Sequence, residues 1–282
     1  MDNHKPVRII VDSSTDMASR LCDQVEVVPL TVMFGEEEYR DGIDLSRDEF
    51  YRKLEAGTDL PTTSQATPAA FEDVFFAMRQ RGEEGLVITL SSELSGTYAS
   101  ACMAAESYPE IRVVDGRNVT VGTGILAAYA LERAAQGVGL AELAAEVEEM
   151  RAHVCVLAKL DTLEYLVRGG RISKTVGFAG GLLNVKPVIT IEDGLVNIVG
   201  KARGPKKADN LLVKRIEENG INYDLPILLG YTGTSDELLQ DYMANSRALW
   251  EGHVRDLECA QICSVIGTHA GPGVVAVAFF KV

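Results

Sequence analysis

The chain has 282 residues, of which 46% are hydrophobic and 24% charged, and its formal net charge at pH 7 is −14. This composition is typical of a soluble globular protein of one or two domains, and the absence of a run of 18 apolar residues excludes a predicted membrane span. The acidic balance repels phosphate groups and disfavours nucleic-acid binding.

The five cysteines and four histidines are scattered, without the CxxC or HxxxH spacing of a metal site. We therefore predict structural thiols and no bound metal. The first six residues lead directly into an apolar run, without the basic and apolar regions of a signal peptide. This start predicts a cytoplasmic protein.

The first half of the chain alternates apolar runs with helical patterns. An alternation of this kind predicts a parallel sheet with helices on both faces, and the pattern stops near residue 152. Pro29 interrupts one of the runs and predicts an edge or a bulge there. Strands are predicted at residues 7–11, 25–32, 85–89 and 111–115, a hairpin arm at 34–41, and helices at 46–54, 69–81, 99–105, 119–135 and 140–150.

The second half mixes a hairpin with crossover connections. Glu192-Asp193-Gly194 between two apolar runs is a strong hairpin signal, so this sheet is expected to be partly antiparallel. We predict an α/β protein with one domain at residues 1–152 and a second at 153–282. Strands are predicted at 154–159, 185–191, 195–199, 226–230, 258–265 and 274–280, and helices at 162–167, 205–218 and 236–249.

A turn rich in hydroxyl groups follows the strand at 85–89 and precedes a small-residue helix. Ser91, Ser92, Ser95 and Thr97 cluster there, at the edge of a parallel sheet where ligands bind. The free N–H groups and partial positive charge of a helix start suit a carboxylate or a phosphate. An ordinary serine N-cap is the alternative interpretation.

Two further segments combine polar groups with a lack of periodicity. The long loop at 57–68 carries Thr62, Thr63 and Ser64, whose hydroxyls suit an anion or else bond only to their own backbone. A Gly-rich loop at 266–273 carries His269, which either approaches a ligand or is a satisfied polar residue.

Basic residues concentrate at 168–174 and 201–207. In an acidic chain these two clusters face either an anionic ligand or partner, or solvent alone. Nucleotide binding has no support, because the chain lacks both the P-loop and the dinucleotide fingerprint. Ser95 is not in a nucleophile elbow, because Glu93 stands where that motif requires glycine.

Taken together, these segments resemble the DegV family of bacterial fatty-acid-binding proteins, which are partners of fatty acid kinase. The resemblance covers nearly the whole chain, and one departure is Ala66, where the family usually has proline. It rests on the following motifs: Asp12-Ser13, Val28-Pro29-Leu30, Thr63-Ser64-Gln65, Ser91-Ser92 with Leu94-Ser95-Gly96-Thr97-Tyr98, Gly169-Gly170-Arg171-Ile172-Ser173, Leu183-Asn184 with Lys186-Pro187, and Ile266-Gly267 with His269 and Gly271-Pro272-Gly273.

The resemblance implies a parallel α/β/α N-terminal domain and a mixed C-terminal domain, with one long-chain fatty acid buried between them. By motif match, Thr63, Ser95 and His269 hold the carboxylate. The residues that the same match places in support are Thr62, Ser64, Ser92, Gly96, Gly170, Arg171 and Ile172.

The resemblance also implies a carrier without catalytic residues or a cofactor. Such a carrier presents its acyl group to a fatty acid kinase, which forms an acyl phosphate for phospholipid synthesis, and it is compatible with transient contact with a membrane surface. Arg203 matches the arginine that contacts the kinase. The alternative is an acyl- or phosphoryl-transfer enzyme that uses Ser95 with His269, although no Asp or Glu near residues 266–273 is placed to orient the histidine.

Overall fold

The computed structural model describes residues 6–57, 60–172 and 184–282. Three residues of the predicted motifs and basic clusters, Ser173, Lys174 and Leu183, lie outside these ranges.

The strands are β1 Val7–Asp12, β2 Val25–Val28, β3 Thr31–Phe34, β4 Glu37–Arg40, β5 Thr62–Ser64, β6 Glu84–Thr89, β7 Ile111–Asp115, β8 Val154–Lys159, β9 Val185–Glu192, β10 Leu195–Arg203, β11 Leu228–Tyr231, β12 Glu258–Gln261 and β13 Val275–Phe280. The helices are α1 Arg47–Ala56, α2 Pro68–Arg81, α3 Thr97–Ala105, α4 Thr120–Ala135, α5 Leu140–Met150, α6 Glu164–Arg168, α7 Pro205–Asn219, α8 Glu237–Asn245, α9 Arg247–Trp250 and α10 Ser264–Ala270.

A four-stranded parallel sheet forms from the first half of the chain, in the order β2-β1-β6-β7. Two helix pairs, α2 with α3 and α4 with α5, pack on it. Its central strands β1 and β6 are buried for most of their length, as near-continuous apolar runs require. The predicted parallel α/β arrangement is confirmed.

A six-stranded mixed sheet forms from the second half, in the order β10-β9-β8-β13-β11-β12. Its pairs are antiparallel except for β11 with β12. Asp193 and Gly194 form the turn between β9 and β10 with φ of 52° and 80°, so the predicted hairpin is confirmed. Helix α4 contacts strands of this sheet as well as the parallel one, so it lies between the two.

Pro29 separates two strands that belong to different sheets. β2 ends at Val28 in the parallel sheet, whereas β3 begins at Thr31 and lies between β4 and β5 in a small antiparallel sheet. The strand predicted at 25–32, with its break at Pro29, is therefore two strands, and the first of them, β2, is the edge strand of its sheet. Proline lacks the N–H that continued pairing needs, and the chain changes direction there.

Three further element predictions are wrong. The loop at 57–68 contains β5, whose pairing partner β3 is far away in sequence. The strand predicted at 258–265 ends at Gln261, and the Gly-rich loop that carries His269 is largely helix α10. A short apolar run does not distinguish strand from helix by its pattern alone.

The helix predicted at 236–249 is divided into α8 and α9 at Ser246. The Ser246 hydroxyl donates to the carbonyl of Tyr242 and accepts from the indole of Trp250. Among the helices in the described ranges, none has the combination of length and hydropathy that crossing a bilayer requires.

Candidate functional site

An apolar cleft lies where the parallel sheet, the small antiparallel sheet and the mixed sheet meet. Its void, including the part open to solvent, is about 890 Å³. Val156 and Ala158 of β8 face it, because side chains two apart share one face of a strand, and β9 contributes Ile189, Thr190 and Ile191. The apolar lining is Leu30, Leu90, Leu94, Val119, Val156, Ala158, Leu160, Leu166, Ile189, Ile191, Val196, Ile262, Val265, Ile266, Ala270, Val274 and Ala276.

Eight residues with polar side chains also line this cleft. Two of them, Thr120 and Thr190, donate their hydroxyls to Asp16 and to the carbonyl of Val156. The other six come from four segments. Thr63, Ser64 and Gln65 come from β5 and the residue after it, and Ser95 comes from the turn before α3. Arg171 follows α6, and His269 lies near the end of α10. The three residues that the motifs assign to carboxylate binding, Thr63, Ser95 and His269, thus share one cleft although 206 residues separate the first from the last.

His269 is half-buried and bonded at one ring nitrogen. Its Nε2 lies 2.8 Å from Thr63 Oγ1, within hydrogen-bonding distance. The other nitrogen, Nδ1, is buried without a partner among the described residues. It lies against Gly169, where a Cβ atom would come within 2.1 Å of Nδ1, so only glycine allows this approach.

Burial lowers the pKa of His269 from 6.5 to about 4, and the positive charge of Arg171 contributes in the same direction. The imidazole is therefore neutral at pH 7 in the unliganded protein. A neutral imidazole still donates one hydrogen bond, and an anion beside it would raise the pKa of His269 again.

Ser95 lies two residues before the first residue of helix α3. Its Oγ is 2.9 Å from Thr97 Oγ1 and accepts a hydrogen bond from the Thr97 N–H at 3.3 Å. At Gly96 a Cβ atom would lie 2.0 Å from Gln65 Oε1, so the residue after β5 packs closely on this turn. Gln65 in turn donates from Nε2 to Ser100 Oγ at 2.8 Å, which holds β5 against α3.

Arg171 supplies positive charge to the cleft. Its guanidinium donates to the carbonyl oxygens of Leu94 at 3.2 Å and Gly169 at 2.6 Å. It forms no ion pair with a carboxylate in the part of the chain that the structure describes. The charge is thus held in place by neutral carbonyl groups, which leaves it able to attract an anionic ligand.

Five of the residues predicted in support do not line the cleft: Thr62, Ser92, Gly96, Gly170 and Ile172. Ser92 Oγ donates to Asp115 Oδ2 at 2.6 Å, which anchors the serine-rich turn to the end of β7. Ser91 Oγ donates to the carbonyl of Gly194 at 2.8 Å and so joins this turn to the β9–β10 hairpin.

The sequence did not assign roles to Gln65 or to the apolar lining. Gln65 stands in a quoted motif, and the apolar runs of β8 and β9 indicate buried strands. Neither signal shows which side chains face a cleft.

Arg203 is the last residue of β10 and is exposed. Lys201, Lys206 and Lys207 beside it are exposed too, and no ion pair joins this cluster to another described residue. Helix α7 begins directly after it, at Pro205.

Comparisons with known proteins agree on one family. The sequence profile of the family described as "uncharacterised protein, DegV family" matches residues 6–282. A DegV domain-containing protein of Caldanaerobacter subterraneus subsp. tengcongensis is 35% identical over 278 residues, covering 97% of this chain and 98% of that protein. A fatty-acid-binding DegV family protein from Thermus thermophilus has a TM-score of 0.87 at 31% identity, covering 98% of this chain and 100% of the other. A stearic-acid-binding protein from Eubacterium ventriosum has a TM-score of 0.84 at 27% identity, covering 98% of each chain.

Proposed function

The chain belongs to the DegV family, and from that premise we propose that it is a carrier which binds one long-chain fatty acid in the apolar cleft. The carboxylate lies at the polar end, between Thr63, Ser95 and His269, with Ser64 and Arg171 beside it. The acyl chain extends along the apolar face of the mixed sheet. Residues 1–152 and 153–282 form two domains with the ligand between them. The juxtaposition of Thr63 with His269 at the end of an apolar cleft is the observation that carries this proposal.

The polar end has the donors that a carboxylate needs when it leaves water. Removing an ionised carboxylate from water is costly unless several hydrogen bonds replace its hydration. Two hydroxyl groups, an imidazole and an arginine without a described acidic partner can provide these bonds, and those to an ionised group are the stronger kind.

The acyl chain supplies most of the affinity. Each buried methylene contributes roughly 0.8 kcal/mol, so a C16 tail contributes on the order of 10 kcal/mol before the cost of ordering it. The polar end therefore sets the orientation of the ligand more than its affinity.

The alternative, an acyl- or phosphoryl-transfer enzyme that uses Ser95 with His269, has less support. A catalytic histidine is usually oriented by a carboxylate at its second nitrogen. In this protein, Nδ1 of His269 lies against Gly169, and Nε2 is bonded to Thr63 rather than to Ser95.

Mass spectrometry tests the ligand directly. The purified protein under native conditions should carry a mass excess equal to one long-chain fatty acid, and its solvent extract should contain that acid. A protein that carries no lipid and takes up none of the added palmitate, stearate or oleate would contradict the proposal.

Substitution of the polar residues tests the orientation. Ser95→Ala and His269→Ala should each weaken fatty-acid binding by about 1–3 kcal/mol, because each removes a partner of a desolvated charge. Ser235→Ala is a matched control, since its hydroxyl also accepts an N–H at a helix start, but at α8. Unchanged affinity in both site variants would place the carboxylate elsewhere.

We also propose that the carrier presents its acyl group to a fatty acid kinase and that Arg203 contacts that partner. Arg203→Ala should leave fatty-acid affinity unchanged and reduce formation of acyl phosphate by an added kinase. Arg255→Ala, which removes another exposed arginine, controls for loss of charge. A parallel loss of fatty-acid binding in Arg203→Ala would instead assign the residue to the lipid site.

A further inference from the structure

Side chains from the first half of the chain hold four consecutive residues, Gln261 to Ser264, through their backbone groups. The Arg47 guanidinium donates to the carbonyl of Gln261. Tyr51 Oη donates to the carbonyl of Ile262 at 2.9 Å. These four residues connect β12 to α10, the helix that carries His269.

Two buried carboxylates bind the last two residues of this connection. Asp16 Oδ1 accepts from the N–H of Cys263 at 3.0 Å, and Asp41 Oδ1 accepts from the N–H of Ser264 at 3.3 Å. Asp16 also pairs with Arg47 at 2.9 Å. Both aspartates are almost fully buried, at 0% and 3% exposure, so the bonds are shielded from water.

Close packing also fixes the distance between α1 and α10. At Gly267 a Cβ atom would lie 2.6 Å from Tyr51 Oη and 2.7 Å from the ring of Phe50. Helix α10 therefore packs directly on α1, without space for adjustment. Two residues further along the helix, His269 meets Thr63.

We propose that Asp16, Asp41, Arg47 and Tyr51, here called the α10 clamp, act as positioning residues that hold His269 in the place where it meets the ligand carboxylate. This inference rests on the proposed function for the identity of the ligand. The clamp touches no ligand itself, because none of its four side chains lines the cleft. It acts through the start of α10, whose residues Val265, Ile266 and His269 do line it.

The geometry indicates that the α10 clamp positions His269 and does not only stabilise the fold. A helix of seven residues is too short to hold its own direction, so the contacts at its start decide where its last turn lies. The clamp uses one contact for each of four successive residues, and these contacts come from the segment after β1, from α1 and from the segment between β4 and α1.

Tyr51→Phe is the test variant, because it removes only the hydroxyl that bonds to Ile262 and keeps the buried ring. We expect affinity for a fatty acid to fall about three- to tenfold, the usual effect of one lost hydrogen bond. Affinity for the fatty alcohol of the same length should change less than twofold, because the alcohol places no charge beside His269. Tyr242→Phe, at a buried tyrosine in the separate apolar cluster of the mixed sheet, is the matched control and should change neither.

A double-mutant cycle with His269→Gln separates positioning from a merely structural role. In the His269→Gln background, Tyr51→Phe should have no further effect on fatty-acid affinity. Three results would each overturn the proposal. Tyr51→Phe could weaken binding of acid and alcohol equally, it could weaken acid binding as much in the His269→Gln background as in the wild type, or it could leave acid affinity unchanged. Asp41→Asn provides a second variant, which weakens the bond to Ser264 and should give the same pattern.

Imidazole ¹⁵N NMR of the unliganded protein tests the clamp without any ligand. Tyr51→Phe should shift the His269 signals, assigned from their loss in His269→Gln, and leave those of His253 in place. Unmoved His269 signals would contradict the clamp. A wild-type protein that binds neither acid nor alcohol while these signals move would instead contradict the proposed function.

Discussion

His269 shows how burial and neighbouring residues together set the chemistry of a side chain. Burial favours the uncharged imidazole, and the nearby Arg171 has the same effect on its pKa. Nε2 lies within hydrogen-bonding distance of Thr63, and Nδ1 packs against Gly169, whose lack of a side chain leaves room for the ring. His269 is thus a neutral imidazole beside the positive charge of Arg171. A carboxylate that binds there is stabilised, because its negative charge offsets that of Arg171.

The depressed pKa of His269 predicts how stability depends on pH. Its pKa is about 4 in the folded protein and 6.5 in the unfolded chain, so the unfolded chain gains the proton first as the pH falls. The stability contributed by the neutral histidine is therefore present above pH 6.5 and lost as the pH falls through 4, on the order of 2–3 kcal/mol. Chemical denaturation of wild type and His269→Gln between pH 7 and 4 should show this loss in the wild type alone.

The wild type and the variant must be compared because two buried aspartates change the stability with pH in the direction opposite to His269. Burial raises the pKa of both Asp12 and Asp16 to about 6, so the stability that their protonated forms contribute is lost as the pH rises towards 6. This background is common to wild type and variant. His253→Gln, at an exposed histidine, controls for the substitution, and a variant with the same pH profile as wild type would contradict the burial of His269.

The β9–β10 hairpin shows how one element joins the two large sheets. Its tip carries the carbonyl of Gly194, which accepts from Ser91, and that of Asp193, which accepts from Arg117 at 2.8 Å. The tip therefore lies on the serine-rich turn that leads to Ser95. A displaced hairpin would move both the apolar lining from β9 and this turn.

Gly194→Ala should be more destabilising than glycine replacement at an open site. Gly194 has a φ of 80°, and a Cβ atom there would lie 2.5 Å from Ser91 Oγ. Gly82 also has a positive φ, 70°, but nothing lies within 4 Å of its Cβ position. Left-handed strain should cost each variant about 1 kcal/mol, and crowding should cost Gly194→Ala about 1–3 kcal/mol more.

Denaturant unfolding of the two variants measures this difference. Equal losses of stability would show that the hairpin tip moves freely away from the turn and does not join the sheets.

One large apolar cluster of the described residues includes side chains from both halves of the chain. It contains residues of the parallel sheet, of α4 between the sheets, and of β8 and β13 in the mixed sheet. A second cluster lies on the other face of the mixed sheet, with α7 and α8. The proposed boundary between residues 152 and 153 thus crosses a continuous core.

Thermal unfolding should accordingly show one cooperative transition, despite the proposed two domains. A bound fatty acid that contacts both halves should raise the midpoint of the whole transition, since a ligand at 100 times its Kd stabilises by about 2.7 kcal/mol. Calorimetry with and without stearate checks this. Two separate transitions, or a shift of one part of the transition alone, would contradict it.

The sequence by itself determined the elements whose evidence is local. The parallel strands have continuous apolar runs, Ser46 and Thr67 cap the helices that they precede, and Asp193-Gly194 requires a hairpin turn. The motif residues Thr63, Ser95 and His269 also stood out, because hydroxyls and a histidine in Gly- and Ser-rich segments are visible without a structure. Their functional assignment stays a prediction.

Only the tertiary structure decided which distant residues meet. Strand β5 exists because β3 pairs with it, and α10 begins where Asp16 and Asp41 bind the N–H groups of Cys263 and Ser264. The neutral state of His269 depends on its burial and on Arg171, and the cleft depends on segments from both halves of the chain. These properties arise from contacts between residues up to 247 positions apart, and no local pattern of hydrophobicity or propensity records such contacts.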